Sequence, residues 1–326
     1  MKALNIRPYQ LLCLFCRLGR QGREKKYFHE KRLDKIQAAI VRNPIIPLTL
    51  TCNTDTTYQY QNPGREFDTP EGADYNDLRD LSVLRKLGAV PGDTRPAVDF
   101  FDQIPAAIPA CSGICAYPAA EAPGWPACCF AATGNYERGL AKGAGVFIRR
   151  QSPEEKQTAK KISRAQCYRA KRLRIRPHHL LCMTCFHKGR PKSELAPIQE
   201  DNLFECIDII QKNPDIEIEL IAGPCMVCPP CSAYHPPTNL CIGGKSMALR
   251  DQKKDLDTLR RLGLRYGDVL PAKELLQRLY ASIRSTKEIC GCGDGIIRSP
   301  EWDGCGRDGL EIYVKGRAVG LGVPGV

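Results

Sequence analysis

The sequence predicts an α+β protein built as an internal duplication: two homologous, helix-rich halves, each with a few short strands and cysteine-rich metal-binding loops. Three observations predict it. The first is an opening motif that occurs twice: Leu4-Asn5-Ile6-Arg7-Pro8-Tyr9-Gln10-Leu11-Leu12-Cys13-Leu14-Phe15-Cys16 returns as Leu173-Arg174-Ile175-Arg176-Pro177-His178-His179-Leu180-Leu181-Cys182-Met183-Thr184-Cys185, with eight of thirteen positions identical. The second is a set of landmarks that returns in the same order: Asn43-Pro44 and Asn213-Pro214, Leu84–Gly88 and Leu259–Gly263, Gly92-Asp93 and Gly267-Asp268, Trp125-x-x-Cys128 and Trp302-x-x-Cys305. Ordered self-similarity of this kind marks a repeat. The third is length, since 326 residues accommodate two domains at roughly 150 residues each. The resulting boundaries are 1–148 for the first repeat, 149–171 for a basic linker and 172–326 for the second repeat.

In the second half the elements follow one another clearly. Leu173–Arg176 reads as a short strand, and Pro177 suits the first turn of the apolar segment after it. Leu203, Cys206, Ile207 and Ile210 have helical spacing, ended by Asn213-Pro214. Ile216, Ile218 and Leu220 alternate with Glu217 and Glu219, as in a half-buried strand. Leu256, Leu259 and Leu262 form a helical stripe closed by Gly263, and Leu275, Leu276, Leu279 and Ile283 form another. The first half repeats this series, with an irregular stretch expected from Pro105 to Pro126.

Net charge is concentrated. Eleven Lys/Arg against two acids between Arg149 and Arg176 account for +9 of the chain's +12. That places the charge on the linker, expected to be solvated or to dock an acidic surface. No RNP aromatic pattern, zinc-finger helix or helix-turn-helix signature supports nucleic acid as a partner. No apolar run approaches ~18 residues, so no membrane span is expected. Met1–Gly19 does not read as an export signal, so the expected location is the cytoplasm. Dinucleotide, Walker A, Gly-x-Ser-x-Gly and His-Glu-x-x-His motifs are all missing. Cys111-x3-Cys115 begins like a radical S-adenosylmethionine motif and stops.

Eighteen cysteines in a reducing compartment point to metal rather than disulfides. Four positions occur in both halves: Cys13 with Cys182, Cys16 with Cys185, Cys115 with Cys290 or Cys292, and Cys128 with Cys305. Four thiolates per half suit a cubane cluster or tetrahedral zinc. In the first half, Cys13 or Cys16 would combine with Cys111, Cys115, Cys128 or Cys129. The second half adds Cys225-x-x-Cys228-x-x-Cys231 and then Cys241, similar to the ligand run of bacterial-type ferredoxins. His178 and His179 point about 100° apart on a helix and cannot easily share one metal. One is expected to pack or cap near the helix start, with His178 standing behind a cluster as a hydrogen-bond donor.

Ile175-Arg176-Pro177-His178-His179-Leu180-Leu181-Cys182, followed by Cys225-x-x-Cys228-Pro229 and Cys241, resembles the prokaryotic family filed as domain of unknown function 1284. Its members are often described as candidate iron–sulfur proteins. The resemblance covers Leu173–Cys241 well and the first half only through its opening motif. It implies Cys182, Cys225, Cys228 and Cys241 as one ligand set, which would leave Cys185, Cys290, Cys292 and Cys305 for another.

The expectation is therefore two to three iron–sulfur clusters per chain, [4Fe-4S] rather than other types, with zinc as the alternative metal. The expected role is electron transfer, as a carrier or as the relay subunit of a larger anaerobic redox complex, rather than stand-alone catalysis. A zinc-stapled interaction module and a cluster-delivery factor are the alternatives.

Overall fold

A computed structural model describes residues 2–22, 30–53, 63–116, 127–243, 247–290 and 310–326. The chain divides into two compact units, Met1–Arg149 and Arg150–Val326.

The first unit contains β1 (Leu4–Ile6), α1 (Pro8–Gly19), α2 (Glu30–Arg42), β2 (Pro47–Leu50), α3 (Ala73–Leu87), β3 (Thr94–Pro96), α4 (Ala97–Ala107), α5 (Ser112–Cys115) and α6 (Asn135–Ala141). β1 pairs in parallel with β2, Leu4 opposite Leu48, and β2 pairs antiparallel with β3. α1 starts on Pro8, whose fixed φ suits a first helical turn. Its apolar side chains Leu11, Leu12, Leu14 and Phe15 are buried, and Phe15 lies among the rings of Phe101, Tyr136 and Phe147. α3 ends at Gly88 in the left-handed conformation, φ 58°. The stretch expected to be irregular is partly helical instead. α4 runs through Pro105, which removes a single hydrogen bond in the last turn, and α5 follows four residues after α4 ends.

The second unit contains α7 (Pro153–Arg169), β4 (Arg172–Ile175), α8 (Pro177–His187), α9 (Leu203–Lys212), β5 (Glu217–Leu220), β6 (Tyr234–His235), β7 (Leu240–Cys241), α10 (Met247–Leu262), β8 (Val269–Pro271), α11 (Ala272–Ser282), α12 (Lys287–Cys290) and α13 (Leu310–Ala318). β4 pairs in parallel with β5, Leu173 opposite Ile218, and β5 pairs antiparallel with β8. Ile216, Ile218 and Leu220 are buried as their alternation requires. Leu256 is not part of the core stripe and is 50% exposed. The buried face of α10 is instead largely polar, made of Asp251, Lys254, Asp255, Thr258, Leu259 and Leu262.

The basic segment is mostly α7, and one side of that helix is packed. Ser152 caps it through the Glu155 amide. Lys160 is buried and pairs with buried Glu205 of α9 at 2.8 Å, while Asn202 donates to Ser163 Oγ at 2.9 Å.

Close helix contacts are set by glycine in both units. A Cβ on Gly139 of α6 would lie 1.9 Å from the Phe15 carbonyl oxygen of α1, and one on Gly316 of α13 would lie 2.2 Å from the Thr184 carbonyl oxygen of α8. Only hydrogen fits at either place. Next to these contacts, Tyr136 donates to the Ile108 carbonyl at 2.7 Å, and Tyr313 donates to the Ile283 carbonyl at 2.8 Å.

Candidate metal centres

In the first unit, Cys13 and Cys16 lie one turn apart on α1, so both thiols leave the same helix face. Across from them, Cys111 and Cys115 bracket the short helix α5, and Cys128 follows on a returning segment. The five line one cavity of about 330 Å³, together with Cys129, Glu71 and Arg79. Two backbone-directed hydrogen bonds hold the far wall. The Tyr75 hydroxyl donates to the Cys115 carbonyl at 2.6 Å and accepts from the Cys128 amide at 3.0 Å. The Cys111 amide donates to Glu137 at 3.2 Å.

Arg79 is buried against this wall, sandwiched between the rings of Tyr9 and Tyr75 at 4.0 and 4.6 Å, and hydrogen-bonded to Thr69 and Asn76. Its Nε has no hydrogen-bond partner. Burial pushes the Cys13 thiol far up, and the neighbouring Cys115 and Cys128 push it the same way. Cys128 is raised to about 12, again by burial. At Cys111 the bond to Cys115 pulls downward, but the bond to Cys16 and burial win, giving about 12. The Arg79 charge pulls these thiols down without overcoming burial, whereas a coordinating metal would deprotonate its thiols outright.

An Arg–Asp anchor fixes the start of α1. Arg7 pairs with Asp80 of α3 at 2.6 Å and with Asp77 at 3.0 Å, while the Tyr9 amide donates to Asp80 at 3.0 Å. The second unit has the same arrangement on α8 and α10. Arg176 pairs with Asp255 at 2.7 Å, and the His178 amide donates to Asp255 at 3.1 Å. Here the anchor also takes up the His178 ring, whose Nδ1 is 2.7 Å from Asp255. His178, expected behind a cluster ligand, therefore faces a carboxylate. Burial holds its pKa down at about 4, so the ring is neutral.

The His179 ring packs edge-on against that of His178, centroids 4.4 Å apart, and its Nδ1 lies 3.0 Å from Cys225 Sγ. Cys228 Sγ is 3.9 Å from Cys225 Sγ. Among the described residues, this is the set of three metal-type donors lying within 4.8 Å of one another. The loop carries its own sulfur-directed amides: Cys225 N to Cys228 at 3.3 Å, Val227 N to Cys225 at 3.4 Å and Ala233 N to Cys231 at 3.4 Å. Burial would raise the Cys225 thiol. Hydrogen bonds from Cys228 and from backbone amides, with the Arg176 charge, prevail and hold it below its ordinary value. Cys241 ends the β6–β7 hairpin and interacts electrostatically with Cys231.

The basic segment braces this loop. Gln151 Nε2 reaches the carbonyls of Pro229, Cys231 and Tyr234 at 3.0–3.3 Å. Asn202, at the start of α9, donates through Nδ2 to the Met226 carbonyl at 2.8 Å and to Ser163 Oγ of α7 at 2.9 Å. Cys167 of α7 is buried with its thiol toward the Met226 carbonyl. Cys206 is core.

Of the other expected ligands, Cys182 lies one turn beyond His179 on the same face of α8. Cys185 and Cys290 both border Tyr313. Cys290 ends α12 as Cys115 ends α5, which makes Cys290 rather than Cys292 the positional counterpart of Cys115. Cys292, Cys305, Trp125 and Trp302 lie outside the described residues. Three participants escaped the cysteine-led reading: His179, where His178 was expected, Arg79 and Gln151. Arg79 had a visible signal, because Arg79-Asp80 occupies the slot of Lys254-Asp255 in the repeated stretch. Gln151 had none.

A family model described as "Protein of unknown function (DUF1284)" matches residues 200–294. The matched span takes in the Cys225–Cys241 loop and begins after the Ile175–Cys182 motif. No curated protein and no solved structure matches the chain.

Proposed function

We propose that this chain is an iron–sulfur protein that transfers electrons, as a carrier or as the relay subunit of a larger redox complex in the cytoplasm. The observation that supports it best is the first-unit cavity. Five thiols from three separate stretches of chain surround about 330 Å³ beside a buried guanidinium. A buried cation whose Nε lacks a partner favours negative charge nearby, and metal-bound thiolates would add to that of Glu71 on the same cavity. Thiols spread around a cavity suit a cluster that offers each sulfur a different iron, better than one small ion.

The cluster would supply one-electron chemistry, with Cys13, Cys16, Cys111, Cys115 and Cys128 as the pool of ligands. Arg79 would favour the more negative, reduced state by its charge. Leu12, Leu33 and Phe130 give the cavity apolar walls beside the sulfurs. In the second unit, Cys182, Cys185, Cys290, Cys292 and Cys305 are the corresponding pool. We read the two units as copies of one ancestral domain, because the Arg–Asp anchor, the strand order and the glycine contact recur in each. A zinc-stapled module is the competing reading, favoured locally by the 3.9 Å approach of Cys225 and Cys228.

The test is iron, acid-labile sulfide and zinc content after purification without oxygen, with the visible spectrum before and after dithionite. Iron and sulfide in equal amounts, about four of each per cubane, and a brown band that bleaches are the expected result. A colourless protein holding zinc alone would overturn it.

A further inference from the structure

We propose that His179, Cys225, Cys228 and Cys231 form a site for a single divalent transition-metal ion, zinc in the first instance, separate from the thiolate pools assigned to clusters. The inference goes beyond the electron-transfer reading and stands without it.

Spacing is the first argument. Zinc binds sulfur at about 2.3 Å and imidazole nitrogen at about 2.0–2.1 Å, so tetrahedral ligands stand roughly 3.5–3.8 Å apart. Cys225 and Cys228 Sγ are 3.9 Å apart, and His179 Nδ1 is 3.0 Å from Cys225 Sγ. The shorter separation is that of a nitrogen and a sulfur sharing one proton, and an ion entering would replace that proton. Thiolates on different irons of a cubane stand farther apart than ligands sharing one ion, so a set this tight disfavours a cluster here. Cys231 follows three residues after Cys228 on the same loop and lies outside this 4.8 Å set; drawn in by the ion, it would complete a Cys3His set of the kind that closes structural zinc sites.

Preorganisation is the second argument. Amides already point at the sulfurs of Cys225, Cys228 and Cys231, as they would at metal-bound thiolates. The loop backbone is pinned from outside by Gln151 and Asn202. His178 is tied to Asp255, which leaves the ring of His179 to face the loop.

The chain also contains its own control. Gln10 is the third residue of α1, as His179 is of α8. It spends its side-chain oxygen on the Arg7 amide at 3.1 Å. The first half lacks the loop cysteines and also lacks this histidine.

The full chain, stripped with a chelator, is titrated with Co2+ and then Zn2+. One equivalent of cobalt should bind with thiolate charge-transfer and tetrahedral d–d bands, and zinc should displace it. His179→Gln should weaken binding by about a hundredfold or more, beyond the 10–100-fold cost of losing a supporting hydrogen bond. Its iron and sulfide content should match the parent. X-ray absorption at the zinc edge of the unsubstituted protein should show one nitrogen among three sulfurs, a readout that does not depend on any variant folding. An all-sulfur shell, unchanged affinity in His179→Gln, or loss of iron and sulfide but not zinc in Cys225→Ser would overturn the proposal. A protein without iron or sulfide that still binds one cobalt would sink only the electron-transfer reading.

Discussion

The two units solve the same structural problem and then diverge at the positions that touch sulfur. Each sets the start of the helix that follows its parallel-paired leading strand with an arginine on a buried aspartate, Arg7–Asp80 in one and Arg176–Asp255 in the other. Each presses that helix against a late one through a glycine. Around this shared frame, Tyr9 and Gln10 stand where the other unit has His178 and His179. Cys111, four residues before the end-of-helix cysteine, stands where the other has Thr286. The first unit gathers its thiols around a cavity lined by a guanidinium. The second draws two thiols and an imidazole into one tight cluster on a braced loop. Similar anchors thus accompany two arrangements of sulfur, one spread around a cavity and one drawn tight on a loop.

The largest effect should come from removing the cavity's opposing walls. Cys13→Ser with Cys115→Ser should abolish the iron of the first unit while leaving one cobalt equivalent at the Cys225 loop. Metal analysis that showed both losses together would merge the two sites that the geometry separates.

Next is the brace. Lys160→Ala leaves buried Glu205 with only the half-exposed Arg164 at 4.0 Å, which should cost about 3 kcal/mol, the low end for a broken buried pair. Lys161→Ala, on the exposed side of α7, should stay within about 0.5 kcal/mol of the parent. Equal effects in denaturant melts would return the whole segment to the status of a solvated linker.

The helix contacts should respond alike. Gly139→Ala and Gly316→Ala each force a methyl into a carbonyl oxygen, at a cost of about 1–3 kcal/mol. A thermal melt in which one is neutral would break the likeness between the two frames.

The smallest effect belongs to Asp208. Burial alone would raise its pKa, but hydrogen bonds from Lys212, Lys192 and Tyr168 lower it. A carboxylate depressed in the folded state adds stability above its unfolded pKa of about 3.9 and loses it as pH falls through the folded value. Asp208→Asn should cost about 0.5–1 kcal/mol at pH 7, and the difference should shrink as pH falls below the unfolded value toward the depressed folded one. A gap that persists in acid would mean packing rather than charge.

Much of this was legible from one chain because its two similar opening motifs could be compared with each other. The strand alternation at Ile216–Leu220, the helix ends at Gly88 and Gly263, and the grouping of Cys13 and Cys16 on one face all follow from local periodicity and backbone preference. Local rules misled where tertiary packing overrode them. Leu256 sits at the edge of a stripe whose centre is occupied by buried polar residues, because Asp255 is needed by Arg176. The same limit applies to the basic segment: its charges dominate the composition, yet one lysine faces inward to Glu205 and a neighbouring glutamine holds a loop some eighty residues away.

Sequence alone determined the element order, the repeated opening motif and the supply of thiols, since these depend on neighbours a few residues apart. The tertiary structure alone decided which donors meet. It brought Cys128 to Cys13, turned His179 rather than His178 onto Cys225, and buried Arg79 beside the thiols. Those pairings span up to more than a hundred residues, and only the packing of whole helices sets such distances.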